Sequence, residues 1–401
     1  MIRLILAIEC VPQANWWGRH GSTITGEHLK SIGEVLDQSG GLGKGFGFLR
    51  IALAVTIIGW HSLVISQGDR IYFDQRYIWS LNYFLLPMFF GLSGFLIAGS
   101  AQRLSIFDFY INRVARIFPA LAVETIISAI IIGSAITSLP LGDYFTQPGF
   151  FEYFRNMYGA VVYVLPGVTF LPPYPEIVNG VIWTVPIELA CYLVMGLLIV
   201  SGLQRRWGLI IGVGIFLLAI PHLINQFNMQ QLSSFFASSH HLSFLNSARG
   251  KTLLPSFLFG VAAYNLRYSI PFSRIVTMLC VAIVMGLGIA GNVSEVFSNF
   301  ICALVLCIAS VGLMLQIGCS NLEKLSPKGD YSYGLYIYCF PFQQIINKGM
   351  AIGGAFGFFA NFALSLLIAF FFAAFSWTYV EKPVLKLRKR FGLVKKVELS
   401  A

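Results

Sequence analysis

Arg50 and His61 stand eleven residues apart in the apolar stretch from Phe48 to Ser66, FLRIALAVTIIGWHSLVIS. On a helix turning about 100° per residue, that spacing puts both side chains on one face, with ~16 Å of rise between them. An ionisable side chain at membrane depth is costly to keep, so it marks a functional site by default. Two readings of His61 stand side by side: a general base, or a histidine that hydrogen-bonds a neighbouring helix. Glu188, in another apolar stretch, is a carboxylate of the kind that fixes an imidazole tautomer and stabilises its protonated form, as a base working near neutral pH requires. Arg113 and Arg116 are three apart and neighbour each other on a helix. Their guanidinium forks suit phosphate, and they equally suit the basic rim that sets membrane topology. The seven cysteines form no CxxC pair and the six histidines show no ligand spacing, so neither a zinc site nor a disulfide framework is expected.

The elements that must position these residues are membrane helices. Of the 401 residues 57% are hydrophobic and only 11% charged, and the mean hydropathy is +0.75, a composition that excludes an ordinary soluble domain. A net charge of +10 raises the question of nucleic acid. The basic residues, however, lie in short clusters between apolar runs, as in a polytopic membrane protein, and no nucleic-acid partner is expected. The expected architecture is all-α. Its ten or so spans lie near 48–66, 79–98, 117–138, 181–201, 207–222, 252–266, 274–290, 297–317, 331–347 and 355–379. They are flanked by a polar extension over 1–46, with a short amphipathic helix near Glu27–Leu36, and by a basic tail over 382–401. The opening apolar run is too short, and is interrupted by Glu9 too soon, for a signal peptide.

With ten spans, Lys30, Lys44, Arg50, the cluster from Arg103 to Arg116, Arg205, Arg206, Arg267, Arg274, Lys324, Lys328 and the tail lysines all fall on one side. The positive-inside rule makes that side, and both termini, cytoplasmic; Arg249 and Lys251 depart from it. The basic tail can also meet anionic lipid. The aromatic, proline-bearing 139–180 region lies outside, with re-entrant pieces. Depth then pairs two residues. His61 lies ~20 Å above the entry of its helix and Glu188 ~10 Å below the opposite surface, within a core of ~30 Å, so the two are expected at one level.

The stretches named so far resemble the acyltransferase 3 family of integral-membrane O-acyltransferases from Gly45 to Pro383. GFGFLRIALAVTIIGWHS carries the family's Arg-ten-residues-His pair as Arg50 and His61. FFGLSGFLI resembles its small-residue second helix, INRVARIFPA its Arg-x-x-Arg stretch, and IWTVPIELACYL its Trp-to-Glu segment with Trp183 and Glu188. GDYSYGLYIYCFPFQQ and VEKP follow in family order. Many relatives carry a histidine where this chain has Cys339, which reads as a packing residue, with an acyl-carrying thiol nucleophile as the alternative, and this puts the weight on His61.

The resemblance implies an inner-membrane enzyme with its acyltransferase domain over 47–381. It would move an acyl group, most often acetyl, from cytoplasmic acyl-CoA to a hydroxyl of a cell-surface or exported glycan. His61 would be the base with Glu188 orienting it, and Arg50, Arg113 and Arg116 would hold the CoA phosphates. The aromatic 139–180 region and His240-His241 suit an acceptor glycan presented outside, or a plain interfacial belt. The competing reading is a proton-coupled transporter of a small anion or sugar, with His61 and Glu188 as its proton relay.

Overall fold

The computed structural model describes residues 29–41, 43–229, 231, 249–326, 329–351 and 353–390. Trp16, Trp17, His240, His241 and Lys328 lie outside the described residues. The regular structure of those described is helical, with no strand beyond a single bridge between Ser31 and Pro271. The chain opens with α1 (Ile32–Gln38), α2 (Phe46–Gln67), the short α3 (Arg70–Asp74) and α4 (Leu85–Ala101). It continues with α5 (Ile106–Ile126, running on to Ile136), α6 (Val185–Val200), α7 (Trp207–Gln226) and α8 (Gly250–Asn265). The last helices are α9 (Arg274–Ala290), α10 (Phe300–Cys319), α11 (Ser332–Met350), α12 (Gly354–Ser376) and α13 (Lys382–Arg390).

Among the described residues seven helical stretches are long and apolar enough to cross a membrane: Phe46–Gln67, Tyr77–Ala101, Ile106–Ile136, Ile182–Val200, Trp207–Ile224, Phe300–Cys319 and Gly354–Leu387. The remaining expected spans fall on α8, α9 and α11. The first two are short, at 16 and 17 residues. In α11 the cause is polarity: Gln343, Gln344 and Asn347 are all buried in the protein. A buried amide is costly unless it is hydrogen-bonded, and these are used to join helices. Gln343 donates to Ile58 O (2.8 Å) and Ser62 Oγ (2.7 Å), and Asn347 donates to Ile65 O (3.1 Å), so α11 is clamped along the half of α2 that carries His61.

Loop contacts fix which helix ends lie together. Gln102 donates to Asn265 and Asn265 to Gln204 O, while Gly45 N donates to Gly318 O. These join the end of α2 that carries Arg50 to the basic connections, and we call this the arginine end. At the far end, Trp79 Nε1 donates to Gly291 O at 2.8 Å and Lys348 Nζ to Thr169 O at 2.6 Å. Small residues set the closest packing. A β-carbon on Gly94 of α4 would overlap the Phe257 carbonyl of α8, and one on Gly260 would overlap the Gly91 carbonyl. Such small-residue seams let helix backbones approach where lipid offers no hydrophobic drive.

The segment over 159–181 leaves the far end and enters the protein. Val178, Asn179 and Val181 are fully buried. Asn179 Nδ2 donates to Glu124 Oε1 (2.7 Å) and Ile337 O (3.0 Å), and Gln344 Nε2 donates to Tyr174 O and Ile177 O. Glu124, noticeable in the sequence as a lone acid in its span, anchors this segment and also accepts from Ser128 Oγ at 2.6 Å. At the other end of the chain, α1 is capped reciprocally by Ser31 and Glu34, and it docks on the bundle through Ile32 N to Ile270 O at 2.8 Å.

Candidate active site

At the arginine end the three predicted arginines converge. Arg50 is four residues into α2, and Arg113 and Arg116 lie on successive turns of α5. Arg50 Nη1 donates to Asp330 Oδ2 at 3.0 Å, and Arg116 Nη1 donates to the same oxygen at 2.6 Å. Asp330 Oδ1 accepts from Ser332 Oγ at 2.9 Å, at the mouth of α11. Burial pushes the Asp330 carboxyl up, but Arg116 and then Arg50 outweigh it and hold it well below the usual carboxylate range. Arg113 stands apart from Asp330. Its guanidinium lies over Tyr192, 5.7 Å from the ring centroid, and among the described residues its buried Nε has no hydrogen-bond partner.

Above the arginines is a cavity of about 200 Å³. Arg50, Arg113, Arg116 and Glu188 line its charged part, and Thr184 and Tyr336 line its inner end. Thr184 Oγ1 and the Tyr336 hydroxyl are 3.0 Å apart and hydrogen-bonded to each other. One turn further along α11, Phe340 is 2% exposed and occupies the space beyond them. Its ring meets His61 edge-on, with centroids 5.3 Å apart, and lies 5.6 Å from Tyr174. A β-carbon on Gly180 would press on this ring at 2.6 Å, so Gly180 is needed for the close approach of the re-entrant segment. His61 does not line the cavity; it is partly exposed, and its Nδ1 is buried without a partner.

The expected pairing of Glu188 with His61 is therefore not what the fold builds. The Glu188 carboxylate accepts from the Tyr192 hydroxyl, four residues along the same helix, and the charges acting on it are Arg116, Arg113 and Arg50. Those acting on His61 are Arg249 and Arg70, at the far end. The depth estimate fails for a specific reason. It starts α6 at the membrane surface, whereas the chain has already entered the protein before Val185, so Glu188 sits deeper and reaches the arginines. Cys339 is fully buried, and its Sγ donates to Tyr336 O at 3.2 Å.

Asp330 is the main residue that sequence reasoning did not single out. It lies within the GDYSYG stretch, and an acid flanking a basic rim was the available signal. Tyr192 was legible only as the residue one helical turn beyond Glu188. Among the described residues no group of three or more histidine, cysteine, aspartate or glutamate side chains is placed to hold a metal.

An all-helical bundle with several helices of membrane length and three arginines gathered at an internal cavity defines a class, the polytopic membrane proteins. The acyltransferase 3 model, described as an acyltransferase domain, matches residues 44–380, and the chain belongs to that family. The chain is 25% identical over 349 residues to a protein of Shigella phage Sf6 named O-acetyl transferase, covering 84% of this chain and 93% of that one. It is also 25% identical over 371 residues to Nodulation protein 10 of Rhizobium leguminosarum bv. viciae, covering 89% of this chain and 97% of the other. No solved structure matches it. Family and relative together make this protein an O-acetyltransferase.

Proposed function

We propose that the protein transfers an acetyl group from acetyl-CoA at the arginine end to a hydroxyl of a glycan presented at the far end, with His61 as general base. The observation that carries this reading is the run along one helix: Arg50 with Arg113 and Arg116 at the foot of the cavity, and His61 ~16 Å above Arg50. That rise is about the reach of an extended pantetheine arm, so phosphates held below place the thioester near the imidazole. Guanidinium forks bind phosphate bidentately, and Arg113, whose Nε has no partner, is the readiest of the three. The basic connections at this end favour its being the cytoplasmic side of the inner membrane, where acyl-CoA is found.

The chemistry follows from weak nucleophilicity. A sugar hydroxyl attacks a thioester only as its proton is removed, and His61 takes that proton while the oxygen bonds to the carbonyl carbon. As the tetrahedral intermediate collapses, the carbon–sulfur bond breaks. The imidazolium returns its proton to the departing sulfur, leaving the ester and free CoA. Glu188 has a different part from the one its sequence position suggested: it holds the Tyr192 hydroxyl, and Tyr192 offers its ring to Arg113. It is thus a positioning residue for the donor cations.

The test is transfer of labelled acetyl from acetyl-CoA to membrane glycans in vesicles carrying wild type or His61→Ala. Labelled glycan with wild type and almost none with the variant supports the reading. Equal labelling by the two removes His61 from the chemistry, and none with wild type rejects the donor or the acceptor class.

A further inference from the structure

The positive residues at the far end run against the charge pattern of the chain, and two of them, Arg249 and Arg70, lie near the helix turn that carries His61. Arg249 precedes α8, and Arg70 opens α3 just beyond the end of α2. These are the two charges that act on the histidine. Arg249 is held in place: its guanidinium carbon lies 4.5 Å from the centroid of the Tyr83 ring. With the Asn82 amide turned to satisfy its neighbours, the Asn82 oxygen accepts from Arg249 Nη2 and from Trp60 Nε1, each at 2.8 Å. Trp60 is the residue before His61, so Arg249 is tied through one amide to the helix turn that carries the base. Tyr83 and Tyr174 lie against Arg70.

Among the described residues one carboxylate answers these two guanidiniums, and it answers both loosely. Asp74 is 3.7 Å from Arg70 Nε and 3.7 Å from Arg249 Nη2, beyond hydrogen-bond length in both cases. Arg70 Nε, Arg249 Nε and Asp74 Oδ1 are buried with no hydrogen-bond partner among the described residues. Buried donors of a charged group are expensive to leave unmade, so an assembly that keeps them open beside a proposed base is arranged for a ligand that supplies the missing acceptors. Trp60 and Tyr174, both partly exposed, add aromatic rings of the kind sugar rings pack against.

We propose that Arg70 and Arg249 bind an anionic group of the acyl acceptor, so that the preferred acceptor is an acidic glycan or a glycan carried on a phosphorylated lipid. This deepens the acyl-transfer reading and rests on it. A carboxylate or phosphate on the two guanidiniums anchors the acceptor and sets a neighbouring hydroxyl toward His61.

The test measures binding first, using the tryptophan fluorescence of the detergent-solubilised full chain. The probes are trigalacturonate, neutral galactotriose and undecaprenyl diphosphate. At least one anionic probe is expected to bind on the order of tenfold or more tighter than galactotriose, the size of one charge-assisted contact. Arg249→Gln and Arg70→Gln should each abolish that preference, while Arg249→Lys keeps part of it and all three leave acetyl-CoA affinity unchanged. Preference for trigalacturonate assigns the anion to the glycan; preference for undecaprenyl diphosphate assigns it to the carrier. Equal binding of all three probes, or a preference that survives Arg249→Gln, overturns the proposal. Unfolding midpoints of the variants identify a fold defect, and if Arg249→Gln is unstable, Arg249→Lys and Arg70→Gln carry the decision. Failure of the underlying reading looks different: anion binding is intact, yet wild type transfers no acetyl from acetyl-CoA to any membrane glycan.

Discussion

His61 has an unpartnered Nδ1 and an aromatic edge for a neighbour, which is not how a histidine recruited to bridge two helices is placed. Replacing it by alanine is expected to leave expression and acetyl-CoA binding near wild type and to slow transfer by ~10²–10⁴-fold, the usual loss when a general base is removed. Single-turnover transfer, set beside binding, checks this; a loss of thermal stability with normal activity per folded molecule would return His61 to a structural role. Among the arginines, Arg113→Ala should weaken acetyl-CoA most directly, because Arg50 and Arg116 already share Asp330. Arg50→Lys should recover only part of the affinity, since an ammonium lacks the planar fork. Asp330→Asn removes the carboxylate between two cations and should lower the unfolding midpoint. The pH dependence has a definite sign. The folded carboxyl lies below its ordinary value of 3.8, so its stabilisation is complete above that value and fades only as pH falls toward the depressed one. Wild type and Asp330→Asn should therefore differ by a constant amount from pH 5 to 9 and converge in strong acid, which melts across that series would show.

At the level of helices, the hydropathy and small-residue signals were sufficient for most of the architecture. Each expected span falls on a helix, and the glycines of FFGLSGFLI lie in the seam between α4 and α8. Gly94→Val should accordingly destabilise the bundle by at least the ~1–3 kcal/mol typical of overpacking, because the obstacle is a backbone carbonyl that cannot rotate aside. Gly142, with open space around it, makes the neutral control, and detergent unfolding midpoints of Gly94→Val and Gly142→Ala give the comparison. What hydropathy could not register is how far a loop enters before its helix begins. The segment ending at Val181 is held by Asn179, Gln344 and Glu124, contacts across 55 to 170 residues of sequence, and these set the depth of Glu188. The same limit hid Asp330, whose partners are 214 and 280 residues away. The arginine pair on α5 was legible because a helix repeats locally; its counter-ion was not.

Across the whole molecule, loop contacts gather the basic connections at one end, and the far end holds the exceptions. A reporter fused after residue 401 is expected to read cytoplasmic, and an epitope inserted at Tyr158, which is 78% exposed, should be accessible from outside. A shared side for the two would rule out acetyl passing from one face to the other along α2. The sequence pattern marked Arg249 as a departure from this charge rule but could not say why, because the reason is its placement beside Trp60 and Asn82.

Phe340 and the Thr184–Tyr336 pair lie between the cavity over the arginines and His61. An enzyme that passes an acyl group through a membrane carries a risk that soluble enzymes do not: the same passage can dissipate the gradients its membrane maintains. If the donor arm threads past this ring as proposed, the ring is the stopper, and wild type without donor is expected to be electrically silent. Phe340→Gly should then conduct ions in planar bilayers where wild type does not, and should hydrolyse acetyl-CoA in the absence of acceptor. Keeping the membrane sealed would in this way depend on the same ring that lies beside the base.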